Sequence, residues 1–337
     1  MKKLNVHGLV LAVSILAFSV TAAERDVSLA GEGWRFTKDP SGELQAGDAA
    51  FDDSAWAKVR VPHDWAISGP FDLKADNGYT GKLPWRGVGW YRRTFELAAE
   101  DEGSSVFLDF DGVMAFPDVY VNGVKVGGWN YGYESRRVDV TAAVRFGRKN
   151  VLAVRADTRK HGARWYPGAG LYRKVTLRVR HPAHFAWNGL YVTTPSVSDE
   201  RATVCVAWET EGPVPAGAKV RVEVAAAKPA SGRRAEACAA VAAGAVELAV
   251  ERPELWDVEK PNLHEATVTL VAEDGRALSS ERVRFGIRTI AFPVPTAEPA
   301  ASDWAANGFH LNGRRVQLKG VDLHSDLRSL GLWLAAD

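Results

Sequence analysis

The sequence predicts an all-β protein made of two consecutive sandwiches, and three observations support that prediction. Short runs in which apolar and polar residues alternate recur along the chain, as expected for half-buried strands. No segment between residues 24 and 180 has three turns of helical periodicity. The 337 residues include 31 Gly and 12 Trp, which is typical of loop-rich β proteins, and the length suggests two or three domains.

The overall composition excludes several classes of protein. Hydrophobic residues make up 46% of the chain and charged residues 25%, which is typical of a folded globular protein rather than a disordered one. Lys and Arg total 42 against 41 Asp and Glu. This balance gives no electrostatic reason to expect nucleic acid or an anionic membrane as a partner.

The first 23 residues have the pattern of a signal peptide. Lys2 and Lys3 precede an apolar run at residues 9–20, and small residues follow at 21–23. The run is too short to span a bilayer as a stable helix, and a buried N-terminal helix is the alternative. We therefore expect a periplasmic or secreted protein with no membrane association after cleavage.

Residues 24–182 are predicted to form a jelly-roll sandwich. Alternation predicts strands at residues 106–110, 151–156 and 171–179. Residues 119–126 predict a hairpin, because the central Asn122-Gly123 readily takes the positive φ angles of a type I′ turn. One all-β unit of this length with many Trp residues is typical of a jelly roll.

A second sandwich is predicted at residues 183–290. His181-Pro182 marks the boundary, and short strands are predicted at 202–208, 219–224, 266–271 and 283–287. Short strands at this spacing are typical of an immunoglobulin-like domain.

The chain has only two cysteines, Cys205 and Cys238, too few for a disulfide scaffold. Cys205 lies in a predicted strand, whereas Cys238 lies in an Ala-rich stretch whose structure the sequence does not predict. In an exported protein the two are either a disulfide or two free thiols, and both alternatives stay open.

Residues 291–337 are predicted to be a linker and the start of a truncated barrel. Residues 293–306 are rich in Pro and Ala. Residues 316–321 alternate like a strand and run into a polar cluster at 322–326, as the first strand of a β/α barrel does at its catalytic face. Only 11 residues follow Asp326, whereas a barrel needs about 250.

Five motifs occur in order along the chain. They are Val-Pro-His-Asp-Trp at 61–65, Gly-Val-Gly-Trp-Tyr-Arg-Arg-Thr-Phe at 87–95, Asp-Val-Tyr-Val-Asn-Gly at 118–123, Arg-Trp-Tyr-Pro-Gly-Ala-Gly-Leu-Tyr-Arg at 164–173 and Leu-Lys-Gly-Val-Asp-Leu-His-Ser-Asp at 318–326. Together they resemble the exo-acting glycoside hydrolases of family 2, the β-galactosidase, β-glucuronidase and β-mannosidase group. The motifs at 61–65 and 164–173 most resemble the β-galactosidase-type members.

The resemblance implies a sugar-binding-like jelly roll, an immunoglobulin-like domain and a catalytic barrel, in that order. Such enzymes hydrolyse O-glycosyl bonds with retention, using two Glu residues from later barrel strands. Neither Glu is present in this chain, so we predict no catalytic residue and expect the chain alone to be inactive. The implied partner is carbohydrate with a terminal β-linked sugar, a homo-oligomer is possible, and no cofactor or metal is predicted for this portion. The alternatives are a secreted non-catalytic carbohydrate-binding module and a non-functional truncated product.

Two substrate-binding residues follow from the resemblance. His324 and Asp326 match the family's His-x-Asp at the end of the first barrel strand. By resemblance they would contact sugar hydroxyls in the terminal subsite, because imidazole and carboxylate can each accept a hydroxyl proton. Without a barrel, both would lie in solvent.

Four tryptophans could stack on a sugar or pack in the sandwich core, and we favour packing: Trp65, Trp85, Trp90 and Trp165. The stretch 77–85 contains Gly and Pro, and we expect it to reach toward an active site.

Three pairs of titratable residues have structural interpretations. Strand neighbours point to opposite faces, so His63 and Asp64 are expected to make hydrogen bonds rather than share a metal or act as an acid–base pair. No helix holds His181 and His184 together for zinc. Asp109, with Asp111, is predicted to lie on a solvated strand face.

Overall fold

The computed structural model describes residues 24–67, 69–71, 74, 83–162, 166–227, 234–293 and 308–321. In this part of the chain the regular structure is β, apart from short 3₁₀ turns such as Ala99–Asp101, which confirms the predicted fold class. The predicted signal peptide at 1–23 lies outside the described residues. Within the described ranges, no helix combines the length and the apolar character that crossing a membrane requires.

The first sandwich is a jelly roll of two antiparallel sheets. Its strands are β1 (Arg25–Ser28), β2 (Gly31–Lys38), β3 (Ala57–Val61), β4 (Val88–Glu96), β5 (Ser105–Phe110), β6 (Asp118–Val121), β7 (Val124–Gly128), β8 (Arg136–Asp139), β9 (Lys149–Asp157) and β10 (Val175–Arg180). One sheet has the order β3-β2-β4-β9-β6-β7 and the other the order β1-β10-β5-β8. Both sheets contribute to one apolar core, in which Trp34, Tyr91 and Phe110 are fully buried.

The predicted hairpin is confirmed between β6 and β7. Asn122 has φ 51° and Gly123 φ 90°, the positive values that a type I′ turn requires. The Asn122 side chain also ties the turn to β9, since its Oδ1 accepts a hydrogen bond from the Val151 amide at 3.0 Å.

The second sandwich is immunoglobulin-like. Its strands are β11 (His184–Val197), β12 (Arg201–Glu211), β13 (Lys219–Ala226), β14 (Arg234–Ala240), β15 (Ala245–Glu251), β16 (His264–Val271) and β17 (Ala277–Phe285). The sheets β11-β12-β15 and β14-β13-β16-β17 enclose a separate core that runs from Ala183 to Ile287. The predicted domain limits at 182 and 290 stay predictions.

The two cysteines lie on different sheets of this second sandwich as free thiols. Val204 and Val206 face the core, so Cys205 between them faces outward from β12. Cys238 is exposed on β14, again on the outer face. A disulfide needs Cβ atoms about 3.5–4.5 Å apart, and side chains on opposite outer faces do not meet that condition.

After the second sandwich, three two-residue strands form a small sheet, β18 (Ile290–Ala291), β19 (His310–Leu311) and β20 (Arg314–Arg315). Residues 316–321, where the sequence alternates like a first barrel strand, form no strand here. Leu318 is 72% exposed and Val321 is 93% exposed. The physical reason is that no strand of the described residues pairs with this segment, and an isolated strand has no ladder to stabilise it.

The N-terminal residues bridge the joint between the sandwiches. The Glu24 carboxylate accepts hydrogen bonds from the His181 amide at 3.2 Å and from the Ser280 amide of β17 at 3.0 Å. Arg180 at the end of β10 donates to Glu281 of β17 at 3.3 Å. Residues from both ends of the first sandwich therefore hold the second one.

Candidate functional site

Two of the sequence motifs pack directly against each other at one end of the jelly roll. The His63 amide donates to the Leu171 carbonyl at 2.7 Å, and the Trp65 amide donates to the Ala169 carbonyl at 3.1 Å. Tyr91, from the motif at 87–95, lies beside them. The fold thus brings together residues that are about a hundred positions apart in the sequence.

Gly170 makes this approach possible. Its φ of 107° is in a region that favours glycine. A Cβ built there would lie closer than 3.0 Å to the Tyr91 hydroxyl and 2.9 Å from Tyr91 Cζ. No other residue type fits between Tyr91 and the motif at 61–65.

Asp64 is the buried carboxylate of this cluster, only 3% exposed. Its Oδ1 accepts hydrogen bonds from the Ala66 amide at 3.0 Å and from the Tyr166 hydroxyl at 2.6 Å. Its Oδ2 is buried with no hydrogen-bond partner among the described residues. Burial raises the pKa of Asp64, and its hydrogen bonds offset part of that rise.

His63 lies on the other side of the same segment. Its Nδ1 is 2.8 Å from the Tyr91 hydroxyl, and its ring packs 4.9 Å from the ring of Phe36. Burial lowers the pKa of His63 to about 4. The imidazole is therefore neutral at physiological pH, and each residue of the pair has its own partner. The structural interpretation of His63 and Asp64 is confirmed.

The tryptophans of the motifs are core residues. Trp65 is 6% exposed, and Trp85 and Trp90 are 1% and 2% exposed. Trp65 stacks on Phe36 with the ring centroids 5.9 Å apart. The packing interpretation is confirmed for these three, while Trp165 lies outside the described residues. Of the stretch 77–85, only residues 83–85 are described, and Leu83 and Trp85 are buried.

The prediction for Asp109 was wrong, because this side chain is buried rather than solvated. Its Oδ1 accepts from Arg137 Nε at 2.7 Å, and its Oδ2 accepts from Arg137 Nη2 at 2.9 Å and from Arg178 Nε. The reason is that β5 lies between β8 and β10, and each neighbour supplies an arginine. These partners are 28 and 69 positions away, so local alternation could not reveal them.

The buried carboxylates among the described residues all serve the fold. Asp39 accepts hydrogen bonds from the Gly42 and Leu44 amides at 2.8 and 3.0 Å, and Asp101 pairs with Arg25. Asp64 and Asp109 are held as described above. These contacts hold loops and strands in place, and among the four carboxylates only Asp64 has a buried oxygen, Oδ2, without a hydrogen-bond partner in the described residues.

Within the described part of the chain, no group of three or more His, Cys, Asp or Glu residues is placed to hold a metal ion. His181 and His184 bond to the backbone at the joint. The Ala183 amide donates to His181 Nδ1 at 3.0 Å, and His184 Nδ1 lies 2.9 Å from the His181 carbonyl. His324 and Asp326 lie outside the described residues, so their placement stays a prediction.

Tyr166→Phe tests the hydrogen bond that joins the two motifs. Loss of the hydroxyl leaves buried Asp64 Oδ1 with one donor fewer, and we expect the free energy of unfolding to fall by about 1–3 kcal/mol. Urea unfolding measures the change. Tyr191→Phe is the matched control, because Tyr191 is 70% exposed. An equal effect of the two substitutions would contradict the role given to Tyr166.

Two family models match the chain. The one described as "Glycosyl hydrolase 2 galactose-binding domain-like" matches residues 76–192, and the one described as "Glycosyl hydrolases family 2" matches residues 188–288. The first covers much of the jelly roll, and the second covers the immunoglobulin-like sandwich.

The alignments with curated relatives cover most of this chain but a smaller share of each relative. Beta-galactosidase BoGH2A of Bacteroides ovatus is 35% identical over 309 residues, which are 88% of this chain and 34% of that protein. A putative beta-glucuronidase of Formosa agariphila is 33% identical over 306 residues, which are 90% of this chain and 28% of that protein. The chain spans about a third of the length of these relatives.

Solved structures show the same architecture. A glycosyl hydrolase family 2 member from Bacteroides cellulosilyticus superimposes with a TM-score of 0.74 at 31% identity, covering 88% of this chain and 39% of that one. A beta-glycosidase from Bacteroides vulgatus gives 0.77 at 28% identity, covering 88% and 37%. Because both models describe this family and together match residues 76–288, the chain belongs to glycosyl hydrolases family 2.

Proposed function

We propose that this chain is the non-catalytic N-terminal part of an exported, retaining exo-glycosidase of β-galactosidase-like type, which removes a terminal β-linked sugar. One observation carries the proposal. The two sandwiches match beta-galactosidase BoGH2A over 88% of this chain but only 34% of that protein. In the proposal, the sandwiches support a catalytic barrel supplied by the remaining length.

The buried carboxylates support the proposal that the chain alone does not hydrolyse glycosides. Retention needs one carboxyl group to protonate the leaving oxygen and a second, about 5–5.5 Å away, to attack the anomeric carbon. Asp39, Asp64, Asp101 and Asp109 are each occupied by hydrogen bonds or ion pairs within the fold. Use of Asp39, Asp101 or Asp109 as either group would break a structural contact. Asp64 has an unpaired Oδ2, but its side chain is only 3% exposed.

The proposal also includes export and a substrate contact. Export to the periplasm or the medium rests on the charged, apolar and small residues at positions 2–23. His324 and Asp326 are proposed to contact sugar hydroxyls once a barrel surrounds them.

Hydrolysis assays test this function. The purified chain is expected to give no turnover of 4-nitrophenyl β-galactoside or β-glucuronide above the blank. The control is the product of the same gene read downstream of codon 337. If that frame encodes an Asn-Glu pair and a later Glu, the longer protein is expected to be active. Turnover by the 337-residue chain, or an inactive longer protein with both Glu residues, would contradict the proposal.

A secreted carbohydrate-binding module is the second candidate, and the galactose-binding description of the match at 76–192 favours it. It predicts affinity for neutral galactosides without turnover, in the chain as it stands. Calorimetric titration with galactose and lactose separates the two candidates, because the first needs no such affinity in the isolated chain.

A further inference from the structure

A groove of about 540 Å³ opens on the jelly roll beside the edge strand β7. Four cationic side chains line it, Lys125, Arg155, Arg159 and Lys160, against only two carboxylates. The whole chain is balanced, with 42 cationic and 41 acidic residues. The positive excess is therefore a local property of this groove.

The two carboxylates hold the cations in place. Asp157 Oδ2 accepts from Arg155 Nη2 at 2.9 Å and from Arg159 Nη2 at 2.7 Å. Asp118 Oδ1 lies 2.6 Å from Lys125 Nζ. The guanidinium groups are thus fixed side by side before any ligand arrives, which lowers the entropy cost of binding.

Gly42 lies close to the Arg159 guanidinium. Its φ is 74°, and a Cβ at this position would lie closer than 3.0 Å to Arg159 Nη1. A side chain at position 42 would push Arg159 away from its present place. Gly42 therefore leaves room for the guanidinium where it lies, although the Arg159 side chain is flexible and 47% exposed.

Aromatic rings form part of the groove wall. Trp129 and Phe116 both line it, and Trp129 is anchored against Phe110 with ring centroids 5.5 Å apart. Phe116 has φ 41°, a left-handed conformation that is uncommon for a bulky residue. Aromatic faces beside fixed cations offer both a stacking surface and charge-assisted hydrogen bonds.

We propose that this groove binds a saccharide that carries negative charge, as a uronate carboxylate or a sulfate ester. Arg159 and Lys160 would contact the charged group, while a sugar ring lies against the aromatic wall. The groove volume falls within the about 300–1,000 Å³ typical of small-molecule sites. The choice of a saccharide rests on the proposed function, whereas the preference for charge rests on the groove alone.

Paired probes test the preference for charge by calorimetry on the purified chain. Tetragalacturonate is compared with its fully methyl-esterified form, and sulfated galactotetraose with the unsulfated sugar. We expect at least tenfold tighter binding of one charged probe than of its neutral partner, weakening as salt is added. The pair that shows the difference identifies carboxylate or sulfate. Equal affinity within both pairs, or no binding at millimolar concentrations, would overturn the proposal.

Two matched variants locate the site. Arg159→Gln with Lys160→Gln removes two charges from the groove, and Arg148→Gln with Lys149→Gln removes two exposed charges outside it. The first is expected to lose tenfold or more in affinity and the second to stay within twofold. Equal losses of affinity would mean that net charge alone drives binding, and would overturn the assignment of binding to this groove. Far-ultraviolet circular dichroism checks that both variants fold. Because no turnover is measured, failure here leaves the proposed glycosidase function standing.

Discussion

Gly170→Ala is expected to destabilise the chain by about 3 kcal/mol or more. Two costs combine at this position. The φ of 107° disfavours any residue with a Cβ, and the new methyl group would collide with the Tyr91 hydroxyl. Tyr91 is fully buried in the core, so its ring cannot move without disturbing the side chains packed around it. Urea unfolding followed by tryptophan fluorescence measures the change in the free energy of unfolding.

Two further variants separate the collision from the backbone cost. Gly103 has φ 89° with no atom within 4 Å of a built Cβ, so Gly103→Ala is expected to lose only about 1–2 kcal/mol. If Gly170→Ala does not fold, Gly170→Ala with Tyr91→Phe should recover part of the lost stability, because the contact with the hydroxyl is gone while the contact with the ring carbon at 2.9 Å remains. Equal losses at positions 103 and 170 would contradict the collision.

Acidification is expected to destabilise the chain through His63. The pKa of His63 is about 4 in the folded protein, whereas an imidazole in the unfolded chain titrates near 6.5. Between these values the unfolded chain binds more protons, so stability falls as the pH falls from 6.5 to 4. The difference between the two pKa values corresponds to a loss of about 3 kcal/mol in the free energy of unfolding. Above pH 6.5, His63 no longer makes stability depend on pH.

His63→Asn isolates this effect, because Asn keeps a polar atom near Tyr91 but does not titrate. The pKa of Asp64 is raised, so its protonation favours the folded state as the pH falls, and both proteins share that opposing contribution. Unfolding free energies measured in urea from pH 7.5 to 4 should show a steeper decline for the unsubstituted chain. Parallel curves would show that His63 does not titrate as proposed.

The strands were predictable where alternation is clear. Residues 219–224 alternate between charged residues and Val, and they lie within β13. The Asn122-Gly123 turn was predictable because few dipeptides adopt its φ angles so easily. By contrast, β14 was not predicted, since its inner face consists of Ala, whose small side chain gives only a weak hydrophobic signal.

The candidate site was less accessible to prediction, because contacts between distant residues create it. The motif resemblance identified residues 61–65 and 164–173, yet only the structure shows that Tyr166 donates to Asp64, 102 positions away. The burial of Asp109 likewise depends on arginines from two neighbouring strands. Local sequence reports propensity and periodicity, whereas side-chain partners depend on tertiary packing.

The bridging role of Glu24 has a mechanical consequence for the two sandwiches. They are joined covalently at residues 181–183 and again by the carboxylate of Glu24, which accepts from the amides of His181 and Ser280. Two bodies connected at a single short segment can rotate about it, but a second attachment removes that axis of rotation. Removal of Glu24 would take away this attachment and leave the Arg180–Glu281 hydrogen bond across the joint, so we expect the angle between the two sandwiches to become more variable.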